Sequence, residues 1–219
     1  MPLELVDTFP VGPLACNCAI VADRASREAI VIDPGDEPDR VLKAVSDSGL
    51  KVVALLHTHA HIDHVGTSAL VARLSGAPLL MHADDASLYA MLPQQAALFG
   101  LEMDAPAPLS RFLEDGELVK CGDSGLTVLH TPGHTPGSVC FRMEGDSPLL
   151  FSGDTLFRRS IGRTDLWGGS TPQILESIRK RLFALPGDLV VLPGHGEETT
   201  IAEEARLNPF VGARAVPLV

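Results

Sequence analysis

Short apolar runs, each about one strand long, recur along the chain at residues 3–9, 19–22, 29–33, 52–56, 79–81, 126–130, 139–143, 149–152 and 189–192. Runs of this length, rich in Val, Ile and Leu, predict strands. Between several of them lie helix-length stretches, at 37–48, 67–74 and 172–185, with apolar residues three and four apart. Gly49, Gly76 and Gly187 stand where each would stop. The early part reads as hairpin strands and the middle as strand–helix alternation, which predicts one mixed-sheet α/β domain over residues 1–219. Residues 93–108, an apolar patch set among prolines and glycine, read as a loop or irregular helix, either a lid or a packed surface loop.

Composition narrows the function classes without changing that outline. With 219 residues, 45% hydrophobic and 21% charged, the chain is an ordinary globular sequence, which excludes a disordered protein, a collagen or a coiled-coil rod. Seventeen basic residues against 28 acidic ones leave a formal charge of −11. Such a field repels phosphate backbones and anionic headgroups, arguing against nucleic acid or a membrane surface as partner. Cys16, Cys18, Cys121 and Cys140 have neither a C-x-x-C pair nor regular spacing and read as reduced thiols. The first ten residues carry no Lys or Arg, and no apolar run reaches about 18 residues, so a cytoplasmic address is expected.

The chemistry sits where predicted strands end. His59, Asp63 and His64 follow run 52–56, His134 follows 126–130, Asp154 follows 149–152, and His195 follows 189–192. In α/β sheets ligands bind at the carboxyl ends of strands, so these loops are expected to converge although widely separated in sequence. The densest cluster, H-x-H-x-D-H at residues 59–64, places His59, His61, Asp63 and His64 in six positions. Imidazole and carboxylate are the ligands that zinc, iron(II) and manganese accept, and the set is large enough for two ions. His134 lies in the turn T-P-G-H-T-P-G-S, Asp154 in S-G-D-T and His195 in P-G-H-G. Such stiff turns fix a side chain before any ligand arrives.

These four motifs, in this order, resemble the metallo-β-lactamase superfamily over almost the whole chain. The resemblance implies an αββα sandwich of two mixed β-sheets flanked by helices, with a dinuclear metal site at one edge. It implies His59, His61 and His134 as ligands of one divalent ion, Asp63, His64 and His195 as ligands of the other, and Asp154 as the bridge. Zinc is expected, with iron or manganese as alternatives. Residues 151–157 followed by Ile161-Gly162-Arg163-Thr164-Asp165 resemble the glyoxalase II-like thioesterases, especially the short bacterial type. About two dozen residues follow His195, fewer than the helical domain that helps larger glyoxalase II enzymes bind glutathione.

The expected reaction is hydrolysis of S-D-lactoylglutathione or a related glutathione thioester, with Asp63 orienting the attacking hydroxide and taking its proton. The alternatives are a mononuclear-iron persulfide dioxygenase, which shares the G-R-T-D sequence but typically shows P-A-H-D at the last histidine, and a lactonase. Arg163 reads either as an anchor for a substrate carboxylate or as an ion pair with Asp165. Asp33 resembles a family position beside the metal site and reads as hydrogen-bonding support for it or as an ordinary turn aspartate. His57 and His130 read either as such support or as core packing, and Trp167 as a pocket-mouth residue or a buried loop anchor. The oligomeric state is left open.

Overall fold

Consecutive residues of a strand point to opposite sides, and in the central strands of this protein both sides are apolar. Ala19 and Val21 face one core while Ile20 and Ala22 face another. That is why the sequence shows unbroken apolar runs in place of alternation. The computed structural model describes residues 2–101, 103 and 106–215.

The first sheet holds β1 (Glu4–Val11), β2 (Cys16–Asp23), β3 (Glu28–Ile32), β4 (Lys51–Leu56), β5 (Leu79–His82) and β6 (Arg111–Leu113), in that spatial order. β1, β2 and β3 pair antiparallel, whereas β3 to β6 pair parallel. The second sheet comprises β7 (Leu118–Cys121), β8 (Ser124–His130), β9 (Val139–Met143), β10 (Leu149–Gly153), β13 (Val190–Pro193) and β14 (Thr199–Thr200). Its order is β14-β13-β10-β9-β8-β7, with only the β10–β13 pair parallel. A small hairpin, β11 (Leu156–Phe157) with β12 (Ser160–Ile161), follows β10.

Between the sheets lie Ile30, Ile32, Leu56 and Leu80 from the first, and Leu126, Phe141, Met143 and Phe151 from the second. Each large side chain buried there contributes about 1.5–3 kcal/mol. Helices α1 (Pro38–Asp47) and α3 (Ser68–Ser75) cover the outer face of the first sheet through Val41, Val45 and Val71. Helices α6 (Thr171–Ser177) and α7 (Ile201–Leu207) cover the second through Ile174 and Ile201. The expected αββα sandwich of two mixed sheets is the observed fold. At one end, α2 (Ile62–Val65), α4 (Ala86–Ala90) and α5 (Leu92–Leu98) pack around Met81 and Tyr89.

The differences from the sequence reading are local. Residues 172–185 are helical only to Leu182, the last turn, Ile178–Leu182, being a wider π-helical one. Strands β6, β7 and β14, two to four residues long, carry too few positions to show a period. The segment 93–108 begins as helix α5, while its residues 102, 104 and 105 lie outside the described residues. All four cysteines are free and buried. Among the described residues no helix is long and apolar enough to cross a membrane.

Candidate metal centre

The two sheets are stitched together at the carboxyl ends of β4, β10 and β13. Val139 N–H, at the start of β9, donates to Thr58 O just past β4 at 2.8 Å. Asn17 N–H on β2 donates to Gly194 O at 2.7 Å, and Gly194 N–H donates to Gly153 O at 2.8 Å. These bonds bring four loops to one place. Two glycines make the approach possible: Gly153 has φ +48 and a Cβ there would meet Thr58 at 2.5 Å, and a Cβ on Gly194 would collide with the Asp154 carboxylate.

The structure brings all seven predicted side chains together. His59 Nε2, His61 Nδ1 and His134 Nε2 form a triangle with sides of 3.0, 2.9 and 3.2 Å. Nitrogens on a tetrahedral cation at 2.0–2.1 Å are about 3.3 Å apart, so the triangle is close to a ligand set. Beside it, His195 Nε2 lies 3.2 Å from His64 Nε2 and 3.1 Å from Asp63 Oδ2. Asp154 stands between the groups: its Oδ1 is 3.4 Å from His64 Nε2 and 3.7 Å from His195 Nε2, and its Oδ2 is 3.6 Å from His134 Nε2. Asp154 Oδ1 is buried and has no hydrogen-bond partner among the described residues, the condition of an oxygen suited to a cation.

Outer hydrogen bonds fix which nitrogen faces inward. His134 Nδ1 donates to Arg163 O at 2.8 Å, and His195 Nδ1 donates to Leu14 O at 3.0 Å. His64 Nδ1 donates to Asp33 Oδ2 at 2.9 Å. Thr58 Oγ1 donates to the same Asp33 oxygen at 2.6 Å and so accepts from His59 Nδ1 at 3.1 Å. Each Nε2 therefore points into the centre. Burial, joined by the neighbouring imidazoles, holds His59 well below the usual histidine range and His61 at about 3. Burial lowers His134 too, so all three rings favour the neutral form, and the outer bonds of His59 and His134 turn their lone pairs inward. Such lone pairs repel unless a cation lies among them.

The second group is richer in charge. Burial raises Asp63, yet the bond from His195 and the field of His64 bring it below the carboxylate range. Burial also raises Asp154, which the field of His64 outweighs. His195 is raised despite burial, by the Asp63 bond and the Asp154 field. The chemistry of these donors, nitrogens and carboxylate oxygens without a hydroxyl among them, fits divalent zinc, iron or manganese.

Several supporting residues escaped the sequence reading. Asp85, fully buried after β5, accepts from Ala60 N–H at 2.9 Å, Thr135 Oγ1 at 2.8 Å and Gly137 N–H at 2.6 Å. It thus ties the 59–64 loop to the turn carrying His134. Gln95 on α5 accepts from Ile62 N–H and donates to Ala60 O, both at 3.0 Å, so this part of the 93–108 segment is fastened to the ligand loop. Asn17 Nδ2 donates to Pro193 O and Gly196 O, both at 3.0 Å, on either side of His195. The signal for Asp85 was its place at a strand end; Gln95 and Asn17 bond backbone far away in sequence and carry no spacing signal.

Asp33, its backbone at φ +50, also accepts from Thr58 N–H at 2.8 Å and so holds three groups. His130 Nε2 donates to Pro136 O at 2.9 Å and steadies the same turn. His57 corrects one of the two readings given to it: its ring is buried, neither nitrogen has a hydrogen-bond partner among the described residues, and burial lowers it to about 4. It packs as a neutral aromatic, while Asp33 serves Thr58 and His64.

A cleft of about 460 Å³ opens above His61, Asp63, His134 and Asp154, walled by Leu14, Phe99, Leu166 and Trp167. Trp167 is 50% exposed, a wall residue and not a buried anchor. Arg163 also lines the cleft, but its guanidinium is paired with Asp165 through bonds of 2.8 and 2.9 Å.

Comparison with known proteins agrees with this geometry. Hydroxyacylglutathione hydrolase GloC of Haemophilus influenzae is 36% identical over 212 residues, spanning 96% of this chain and 99% of that protein. The human mitochondrial persulfide dioxygenase ETHE1 is 32% identical over 203 residues, spanning 90% of this chain and 72% of that protein. The crystal structure of TTHA1623 in a di-iron-bound form superposes with a TM-score of 0.83 at 41% identity, covering 92% and 98% of the two chains. The profile of the metallo-beta-lactamase superfamily matches residues 11–195, which include every side chain of the centre, and the chain belongs to that superfamily.

Proposed function

We propose that the protein is a metal-dependent thioester hydrolase of the glyoxalase II type, cleaving S-D-lactoylglutathione or a related acyl-glutathione to a hydroxyacid and a thiol. The observation that carries this reading is Asp154, whose two oxygens face two separate ligand groups. One group, His59, His61 and His134, would hold the first cation, and Asp63, His64 and His195 the second. Zinc suits both, and iron or manganese fits the same donors. When bound, such a pair supplies water acidified toward neutral pH and a Lewis acid for the scissile carbonyl.

The chain's own residues do the rest. Asp63, its side chain 18% exposed at the cleft floor, orients the attacking water and accepts its proton. Asp33, Thr58, Leu14 O and Arg163 O hold the imidazoles in the required tautomers. Arg163, on the cleft wall, offers a cation to a glutathione carboxylate by exchanging its partner Asp165. The Leu14, Phe99 and Trp167 walls keep bulk water from the thioester. Four free, buried thiols suit the cytoplasm as the place of work.

The resemblance to both GloC and ETHE1 defines the test. Metal-loaded protein is assayed for S-D-lactoylglutathione cleavage and for oxygen uptake with glutathione persulfide. Thioester turnover without oxygen uptake is the expected result, and persulfide-dependent oxygen uptake without thioester turnover overturns the reading.

A further inference from the structure

A second depression of about 390 Å³ adjoins the cleft, and Leu14, Ile62, Asp63 and Phe99 line both. Its other large side chains are Val11, Pro13, Leu101 and Met103, and its polar ones are Asp36, Asp63 and Thr67. No Lys, Arg or His lines it among the described residues, and Arg163 lies on the wall of the first cleft alone. A ligand carboxylate placed here would meet, among the described residues, two carboxylates and no cation. Leu14, Phe99 and Leu101 are 46, 56 and 57% exposed, apolar area that a nonpolar chain would cover. Gln95 holds the preceding helix to the ligand loop, so Phe99 follows a fastened element.

We propose that this depression is an acyl subsite for an unbranched apolar chain, making the substrate class thioesters of longer, uncharged acyl groups. A thioester carbonyl beside Asp63 then sends its acyl chain between Leu14 and Leu101 and its thiol portion along the Arg163 wall. The assignment rests on the thioester reading for the polar half of the ligand. Apolar recognition is set by covered area, so affinity should climb with each methylene until the depression is filled.

The test is calorimetric titration of metal-loaded protein with S-methyl-, S-butyl- and S-octylglutathione, thioethers that cannot be hydrolysed. It is paired with turnover of lactoyl-, butyryl- and octanoyl-glutathione. The expected result is a Kd falling about threefold per methylene, with kcat/KM rising in step, and a flatter slope in the Phe99→Ser/Leu101→Ser double variant. S-octylglutathione binding no more tightly than S-methylglutathione, or an unaltered slope in the double variant, overturns the subsite. Chain-length-dependent binding without any turnover sinks the thioester reading and leaves the subsite standing. Lactoyl turnover with length-independent binding does the reverse.

Discussion

Asp33 and Asp85, beneath the cleft, each fasten three groups and are almost wholly buried, whereas Leu98 and Phe99 at its mouth are 85 and 56% exposed. The floor is directional, because a cation's ligands must stand within a few tenths of an ångström of their places. The mouth is not, because covering an apolar surface depends on area and little on angle. One small fold thus combines a preorganised centre with an adaptable rim.

Breaking the floor should have the largest effects. His59→Ala or Asp154→Ala is expected to lose bound metal and to lower turnover at least about 1,000-fold, read by metal analysis beside the thioester assay; full activity in either would refute the site. Asp85→Ala leaves two N–H groups and a hydroxyl without their acceptor, and should lower unfolding stability by about 3–5 kcal/mol in urea titration. A loss below about 1 kcal/mol would show that the 59–64 loop needs no such tie.

Changes nearer the mouth should act on substrate and little on the fold. Arg163→Ala is expected to raise KM for the glutathione thioester about tenfold, with the larger part of the change in KM; an unchanged KM would leave Arg163 only its pair with Asp165. The smallest effect belongs to Leu98→Ser, which exposure limits to about 0.5 kcal/mol in the same urea titration. A larger loss would place Leu98 in a packed interface.

The same contrast explains what could be read from the sequence. His59, Asp63, His134, Asp154 and His195 were legible because each follows a strand-length apolar run and sits beside glycine or in a dense cluster. The mixed-sheet α/β class was legible because strands covered on both faces have uniformly apolar sequences, whereas the sandwich itself came from the resemblance of the four motifs to a known family. Asp85 had only its place after a strand to mark it, since its bonds reach 25 and 52 residues along the chain to backbone donors that any sequence supplies. His57 looked like Asp33, a polar residue at a strand end, but only the packing shows that its nitrogens meet nothing. Helix α5 was blurred because Pro93 stands in its first turn and exposed Leu98 and Phe99 lie at its end, which hides the amphipathic period.

The proposed chemistry turns on seven side chains holding two cations around Asp154. Counting divalent ions per chain, by mass spectrometry on protein purified from metal-replete medium and dialysed, tests this most directly. Two ions per chain, removed together with thioester turnover by a chelator, is the predicted result; a single ion or none, with turnover intact, would contradict it.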